Sequence, residues 1–185
     1  DYYASRGLGD VYKRQYETRV AEGATVAGKA MFVCSNRNIA YDFYKIVKEL
    51  RPEWTEKKIC DDGVVLSEKD KKELKPMEKI KLVMTRNKDD EKDLFDMLGT
   101  KEDRKEFDRQ FKNPKSNFKI AIVVDMWLTG FDVPELDTIY IDKPIQQHTL
   151  IQTISRVNRV CEGKDKGLIV DYICLLYTSP SPRDA

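Results

Sequence analysis

The stretch Phe118–Asp142, FKIAIVVDMWLTGFDVPELDTIYID, joins two apolar runs through a polar interruption. The first run is almost continuous in Val and Ile, which is typical of a strand buried on both faces of a parallel sheet. Gly130 breaks the pattern, and Thr129 and Asp132 place polar side chains directly after that strand. A glycine turn allows close approach to the backbone, so the interruption predicts a ligand-binding loop at the end of a buried strand.

Buried strands and amphipathic helices alternate along the central part of the sequence. Apolar runs predict five strands, at Lys29–Cys34, Lys79–Thr85, Phe118–Val124, Thr138–Asp142 and Gly167–Ile173. Apolar residues at helical spacing predict helices within Asn38–Leu50, Lys101–Pro114 and His148–Val160. The residues expected to face the sheet from the last two helices are Phe107, Phe111, Leu150, Ile154 and Val157. This alternation is typical of an α/β fold in which helices cover both faces of a parallel sheet.

The charged segment Thr55–Pro76 is interrupted by glycine and proline and is expected to be an exposed connection. Ligands of parallel α/β sheets bind beyond the carboxyl ends of the strands. We therefore expect Ser35–Arg37, Thr85–Asn87 and Asp125–Asp132 to lie on one functional edge.

The composition excludes several classes of site. The chain has 185 residues and a formal net charge of +1, which argues against a strongly basic nucleic-acid arm. Its four cysteines form no CxxC pair and its single histidine is His148, so we expect no metal site and no disulfide framework. His148 is expected to be a surface or helix-start residue. No apolar run approaches the roughly 20 residues of a membrane span, and no signal peptide is apparent, so a cytoplasmic protein is expected.

The two ends of the chain resemble translated sequencing adapter. Ser5–Gln15 and Cys174–Asp184 can be encoded by opposite strands of one DNA sequence, which resembles the transposon adapter used in library preparation. We therefore predict that residues 1–15 and 174–185 are artefactual, disordered tails. Residues 16–173 would then be a single-domain fragment.

Near the end of the domain the sequence carries a QxxxRxxR pattern formed by Gln152, Arg156 and Arg159. Two arginines spaced i, i+3 can project from one helix face. Their planar guanidinium groups match the oxygens of a phosphate. The alternative for two arginines alone is a solvated charged face. That alternative weakens because the helix carries few other charges and is predicted to begin at the strand-end edge.

The order of CSNR, VMT, LTGFDVPELDTIYIDKP, QTISRVNR and GKDKGLIVDYI resembles the second RecA-like motor domain of superfamily 2 helicases. More narrowly, it is similar to the restriction (R, motor) subunit of type I restriction-modification enzymes. The resemblance covers nearly all of residues 16–173. It implies a RecA-like helicase C-terminal domain of the P-loop NTPase type, taken from a type I site-specific deoxyribonuclease that translocates DNA with ATP.

The resemblance implies roles for three groups of residues. Ser35 and Arg37 of CSNR, and Thr85 at the next strand end, would contact the DNA backbone or the interdomain cleft. In LTGFD, Thr129 and Gly130 would couple the nucleotide site to the DNA, and Asp132 would contact the nucleotide or the partner domain. In QTISRVNR, Arg156 and Arg159 would be arginine fingers, and Gln152 would orient the helix or bind the nucleotide. Ser155 departs from the glycine that many relatives have before the first arginine.

The cofactor implied is ATP with Mg²⁺, bound together with a first RecA-like domain of the same parent chain. The stretch Gly23–Ala30, GATVAGKA, is close to the phosphate-binding pattern GxxxxGK[ST], but Ala30 stands where the pattern has a hydroxyl. A strand follows it directly instead of a helix, so it is not expected to bind phosphate. No Walker A, Walker B or nuclease motif is found, so the fragment is expected to be inactive alone. The partners implied are double-stranded DNA and the modification and specificity subunits, with no membrane.

Two alternatives remain at this point. One is the second motor domain of another superfamily 2 helicase or translocase. The other is a non-catalytic α/β binding module.

Overall fold

The computed structural model of the chain describes residues 2–23, 28–61, 63–128, 130–145, 147–159, 164 and 167–172, without the side chains of residues 2–9, 147 and 156. Five strands form one sheet: β1 Lys29–Cys34, β2 Ile80–Val83, β3 Ile120–Val123, β4 Leu136–Asp142 and β5 Leu168–Asp171. Six α-helices are described: α1 Tyr2–Ala21, α2 Arg37–Leu50, α3 Glu68–Glu73, α4 Lys92–Leu98, α5 Lys101–Lys112 and α6 Gln147–Val157. A short 3₁₀ helix spans Pro52–Thr55.

The strand order is β2-β3-β1-β4-β5, and every strand pair in the described sheet is parallel. The predicted α/β fold with a parallel sheet is thus confirmed. The register pairs Ala30 of β1 with Ile120 of β3 and with Thr138 of β4. Strands β1 and β3 sit at the centre of the sheet, and their residues are buried throughout. Burial on both faces explains why these strands read as unbroken Val/Ile runs rather than as an alternating pattern.

The two faces of the sheet each carry an apolar core. On one face, Phe32 and Leu82 pack with side chains from α1, α2 and α4. On the other face, Val33 and Val123 pack with side chains from α5, α6 and the loop after β3. The predicted inward residues of α5 and α6 are confirmed, since four are buried and Ile154 packs against the second core.

Polar side chains fix the ends of α2 and α5. The Asn36 side chain accepts a hydrogen bond of 3.0 Å from the Ile39 backbone N–H at the start of α2. Thr100 and Asp103 form a reciprocal capping box at the start of α5. Asn113 then ends α5, as the Asn-Pro pair predicts.

The segment 55–76 is largely an exposed connection, as expected, but it also has ordered structure. It contains helix α3, which has no buried residue, and Lys58 pairs with Met77 in an isolated antiparallel bridge. Leu74 and Met77 are buried, so the end of the connection is attached to the domain.

The prediction of a disordered tail at residues 1–15 differs from the structure, in which α1 spans Tyr2–Ala21. Tyr12 is buried, and its ring packs edge-on against Phe32, Phe43 and Tyr140. Edge-on contacts between buried aromatic rings are stabilising, so this packing attaches α1 to the domain. The adapter origin of the two ends stays a prediction, and residues 174–185 lie outside the described part of the chain.

The amino-terminal edge of the sheet buries lysine side chains. Lys29 Nζ donates a 2.6 Å hydrogen bond to the Phe118 carbonyl and lies 5.0 Å from the centre of the Phe111 ring. Burial lowers the pKa of Lys29 well below its ordinary value. Lys119 donates to the Pro114 carbonyl at 2.7 Å, and burial lowers the pKa of this amine as well. No helix in the described residues is long and apolar enough to span a membrane.

Candidate nucleotide and DNA site at the carboxyl edge of the sheet

All described strands run in the same direction, so the segments that follow them leave from one edge of the sheet. Ser35 follows β1, Thr85 lies just beyond β2, and the loop from Asp125 to Asp132 follows β3. A cleft at this edge is lined by Arg37, Val83, Met84, Thr85, Asn87, Val124, Asp125 and Met126. The structure thus brings residues of three predicted segments to one place.

Arg37 connects the end of β1 to the loop after β2. Its two terminal nitrogens donate to the Thr85 carbonyl at 2.6 Å and to both carboxylate oxygens of Asp90 at 2.6 Å. Since β3 lies between β1 and β2, this side chain crosses the end of β3. Asp90 also accepts a 2.7 Å hydrogen bond from the Asn87 backbone N–H. Arg37 therefore holds the loop after β2 in place, and its charge is already balanced within the domain.

Lys143 makes a second connection of this kind, which sequence reasoning missed. Its Nζ donates to the Val124 carbonyl at 3.1 Å and to the Asp125 carboxylate. Lys143 follows β4 while Val124 follows β3, and β1 lies between those strands. The only sequence signal was the position of Lys143 directly after a predicted strand.

The loop after β3 contains two residues in the left-handed backbone region. Trp127 has φ +66° and Gly130 has φ +71°. A Cβ atom on Gly130 would meet no atom of the described chain within 4 Å, so within this domain it is the backbone angle that requires glycine. Trp127 carries a side chain at such an angle, which costs about 1–2 kcal/mol.

Aromatic packing holds this loop against the domain. The Trp127 and Phe131 rings are stacked, with centroids 4.1 Å apart and planes 2° from parallel. Both pack on Phe111 of α5, at 5.3 Å and 6.0 Å. These contacts offset the backbone strain at Trp127, and they fix the loop before any ligand binds. Thr129 lies outside the described residues.

The far end of this loop lies away from the cleft, since it leads into β4, whose first residue Leu136 pairs with Lys29 at the amino-terminal edge. The prediction that Asp125–Asp132 share the carboxyl edge is therefore wrong for Asp132, because the loop crosses between the two edges of the sheet. There the loop meets the end of α6 through an ion pair. Arg159 donates from a terminal nitrogen to the Asp132 carboxylate. Helix α6 ends at Val157 rather than at the predicted Val160, so Arg159 lies just beyond the helix and not on its face. The Arg156 side chain is not among those described. Gln152 is exposed on the same helix.

Two further titratable residues lie at or near this edge. Asp142 ends β4, and partial burial raises the pKa of its carboxyl group. His148 is exposed in the first turn of α6, as predicted. No group of His, Cys, Asp or Glu side chains in the described part of the chain could hold a metal ion. The cations described at this edge, Arg37 and Lys143, are mostly buried and are paired with Asp90 and Asp125.

Comparison with known proteins gives consistent matches. Residues 26–173 match the family described as type I restriction enzyme subunit R domain 3. The type I restriction enzyme HindI endonuclease subunit of Haemophilus influenzae is 40% identical over 153 residues, which cover 81% of this chain and 13% of that protein. The SauCOLORF180P endonuclease subunit of Staphylococcus aureus is 49% identical over 72 residues, covering 36% of this chain and 8% of that protein.

A solved structure shares the fold. It is a fragment described as an HsdR subunit of a type I restriction enzyme from Vibrio vulnificus YJ016, with a TM-score of 0.59 and 13% sequence identity. The match covers 97% of this chain and 30% of that one. The chain spans about an eighth of the length of the first of the two curated relatives and less of the second.

Proposed function

The chain belongs to the type I restriction enzyme subunit R domain 3 family, and from this premise we propose that it is the second motor domain of an ATP-dependent DNA translocase. The observation that carries the proposal is the contact between the loop after β3 and the end of α6. This contact holds the Arg159 guanidinium, half exposed, beside the segment that enters β4. An exposed planar guanidinium can bind the oxygens of a phosphate.

In the proposed mechanism, ATP with Mg²⁺ supplies the phosphoryl group that is transferred to water. Arg159, together with Arg156, stabilises the negative charge that develops on the terminal phosphate. Arginine fingers raise the rate of phosphoryl transfer by about 10³–10⁵ in other systems. Gln152 would orient α6 or bind the nucleotide, and the ligands of the magnesium ion would come from the first RecA-like domain of the parent chain.

The proposed DNA contacts lie at the carboxyl edge of the sheet, after β1 and β2. Thr85 is exposed, and Ser35 is half-buried at the end of β1. Arg37 would act at the DNA backbone mainly by ordering the loop after β2, since its guanidinium already binds Asp90 and the Thr85 carbonyl. Thr129 and Gly130 belong to the loop that links this surface to Arg159, so a change at the nucleotide can reach the DNA through one short segment.

The parent protein would be the R subunit of a type I restriction endonuclease, acting with modification and specificity subunits on double-stranded DNA. The 40% identity to the HindI endonuclease subunit favours this assignment over other superfamily 2 motors. The family match also favours a motor domain over a non-catalytic α/β binding module.

The test is a substitution of Arg159 in a full-length endonuclease subunit that carries residues 26–173 as its matching domain. Arg159→Ala should lower DNA-stimulated ATP turnover by at least 10³-fold, while DNA binding changes little. Arg109→Ala is the matched control, because Arg109 is similarly exposed but pairs with Glu106 of its own helix rather than with the loop after β3. Turnover that survives in Arg159→Ala at the level of the control would exclude the finger role.

A further inference from the structure

Resting on the proposed function, we propose that Asp132 is a positioning residue for Arg159. Its carboxylate binds the guanidinium while the nucleotide is absent, and a phosphate oxygen of the nucleotide replaces it on binding. This differs from the role that the resemblance implies, in which Asp132 itself contacts the nucleotide or the partner domain.

The position of Asp132 is fixed by its two neighbours in the chain. Phe131 is buried in the stack with Trp127, and Val133 is buried in the second core. Because the residues on both sides point into the domain, the Asp132 side chain is held on the outside of the loop, where it is exposed. The carboxylate therefore stays at one place on the surface of the domain.

Arg159 is fixed from the other side of the contact. Val157, two residues earlier, is fully buried, and the Asn158 backbone N–H donates to the Ile154 carbonyl at 3.1 Å. The backbone is thus fixed up to the residue before Arg159. The guanidinium retains the reach of a long side chain, and Asp132 is the carboxylate that it contacts.

The exposure of this pair makes it exchangeable. The Arg159 and Asp132 side chains are 50% and 54% exposed, whereas those of Arg37 and Asp90 are 25% and 7% exposed. An exposed ion pair shifts an equilibrium by only about two- to fivefold, so it contributes little to the fold and is readily broken. The Arg37 pair is harder to break, because it is less exposed and Arg37 also donates to the Thr85 carbonyl.

A phosphate can take the place of the carboxylate without a change in the guanidinium. Both groups offer two oxygens to the planar fork of arginine, and both carry negative charge. Asp132 thus occupies the position on Arg159 that an anionic ligand needs. While it does so, the apparent affinity for that ligand is reduced by the fraction of molecules in which the pair is formed.

The test uses the 185-residue chain with inorganic pyrophosphate as the probe. NMR follows the side-chain Nε–Hε signal of Arg159, which is assigned by its loss in Arg159→Ala. Asp132→Asn keeps the size of the side chain and removes its charge. We expect this variant to lower the pyrophosphate concentration at half-maximal shift by about two- to fivefold. Asp125→Asn is the matched control, since Asp125 is an exposed carboxylate of the same loop that pairs with Lys143 instead.

An unchanged or higher midpoint in Asp132→Asn would overturn the proposal, and so would a signal that pyrophosphate does not shift in either protein. An equal effect of Asp125→Asn would overturn it too, because the effect would then be one of general charge. These outcomes are separate from the finger role, which depends on ATP turnover of Arg159→Ala in the full-length subunit. Lost turnover in that variant, combined with no effect of Asp132→Asn, would retain the proposed function and remove the role of Asp132.

Discussion

Trp127 is the residue at which the loop after β3 is most easily tested. It holds a left-handed backbone angle, φ +66°, and its ring is stacked on Phe131 at 4.1 Å. Both Trp127→Gly and Trp127→Ala remove the ring, and each should lower the free energy of unfolding by about 2 kcal/mol, since the side chain is only partly buried. The two variants differ in the backbone. Alanine retains the left-handed strain of about 1–2 kcal/mol, and glycine does not.

Glycine therefore should be the more stable of the two replacements, by about 1 kcal/mol after its greater freedom in the unfolded chain is subtracted. This reverses the usual order. The matched control is Phe107 in the interior of α5. There Phe107→Ala should be more stable than Phe107→Gly by about 1 kcal/mol, because glycine disfavours a helix interior. Urea unfolding followed by circular dichroism gives all four values. If Trp127→Ala is at least as stable as Trp127→Gly, the strained angle at Trp127 is wrong.

Three further predictions concern the edge and the buried lysine. Arg37→Lys replaces the planar guanidinium by a point charge, so the free energy of unfolding should fall by about 1 kcal/mol. Amide hydrogen exchange near Asp90 should become faster, and unchanged exchange would contradict the role of Arg37 in holding the loop after β2. Gly130→Ala should destabilise the chain by about 1 kcal/mol in urea unfolding through its backbone angle alone, and no loss would contradict the left-handed assignment. Lys29 binds fewer protons in the folded chain than in the unfolded one, since burial lowers its pKa. The free energy of unfolding should therefore rise with pH up to about pH 10 in the wild type and rise less in Lys29→Met. If urea unfolding gives the same pH dependence for both proteins, this prediction is wrong.

The sheet could be predicted from the sequence because its strands are buried on both faces. Such strands require uninterrupted apolar runs, and a short Val/Ile run such as KIAIVV is typical of a buried strand. The helices α5 and α6 could be predicted because each carries an apolar stripe. Helix α4 was missed, since it is short and its sequence, KDLFDML, follows an acidic stretch typical of a loop.

The candidate site was predictable in its location and less so in its contacts. Parallel strands place their carboxyl ends together whatever their order, so Arg37 and Asp125 could be assigned to one edge. Asp132 was assigned there as well, but the loop crosses to the amino-terminal start of β4 before it reaches this residue. The bond from Lys143 to the Val124 carbonyl depends on the strand order, which brings β4 beside β1 rather than beside β3. The left-handed angle at Trp127 depends on rings that are distant in sequence, and no local pattern predicts it.

The packing of α1 shows a different limit. Its sequence has no helical stripe, yet Tyr12 and Tyr16 are buried and pack edge-on against Phe32 and Trp54. The groove that receives these rings exists only in the folded domain. Local pattern reading does not detect such an interaction.

The most direct test of the motor assignment is an exchange of domains. Residues 26–173 of this chain would replace the matching domain of the HindI endonuclease subunit, and the product would be assembled with the modification and specificity subunits. If the chain is the second motor domain, the hybrid should displace a triplex-forming strand from DNA in an ATP-dependent manner, and its Arg159→Ala form should not. A folded, assembled hybrid that binds DNA but neither hydrolyses ATP nor displaces the strand would contradict the assignment.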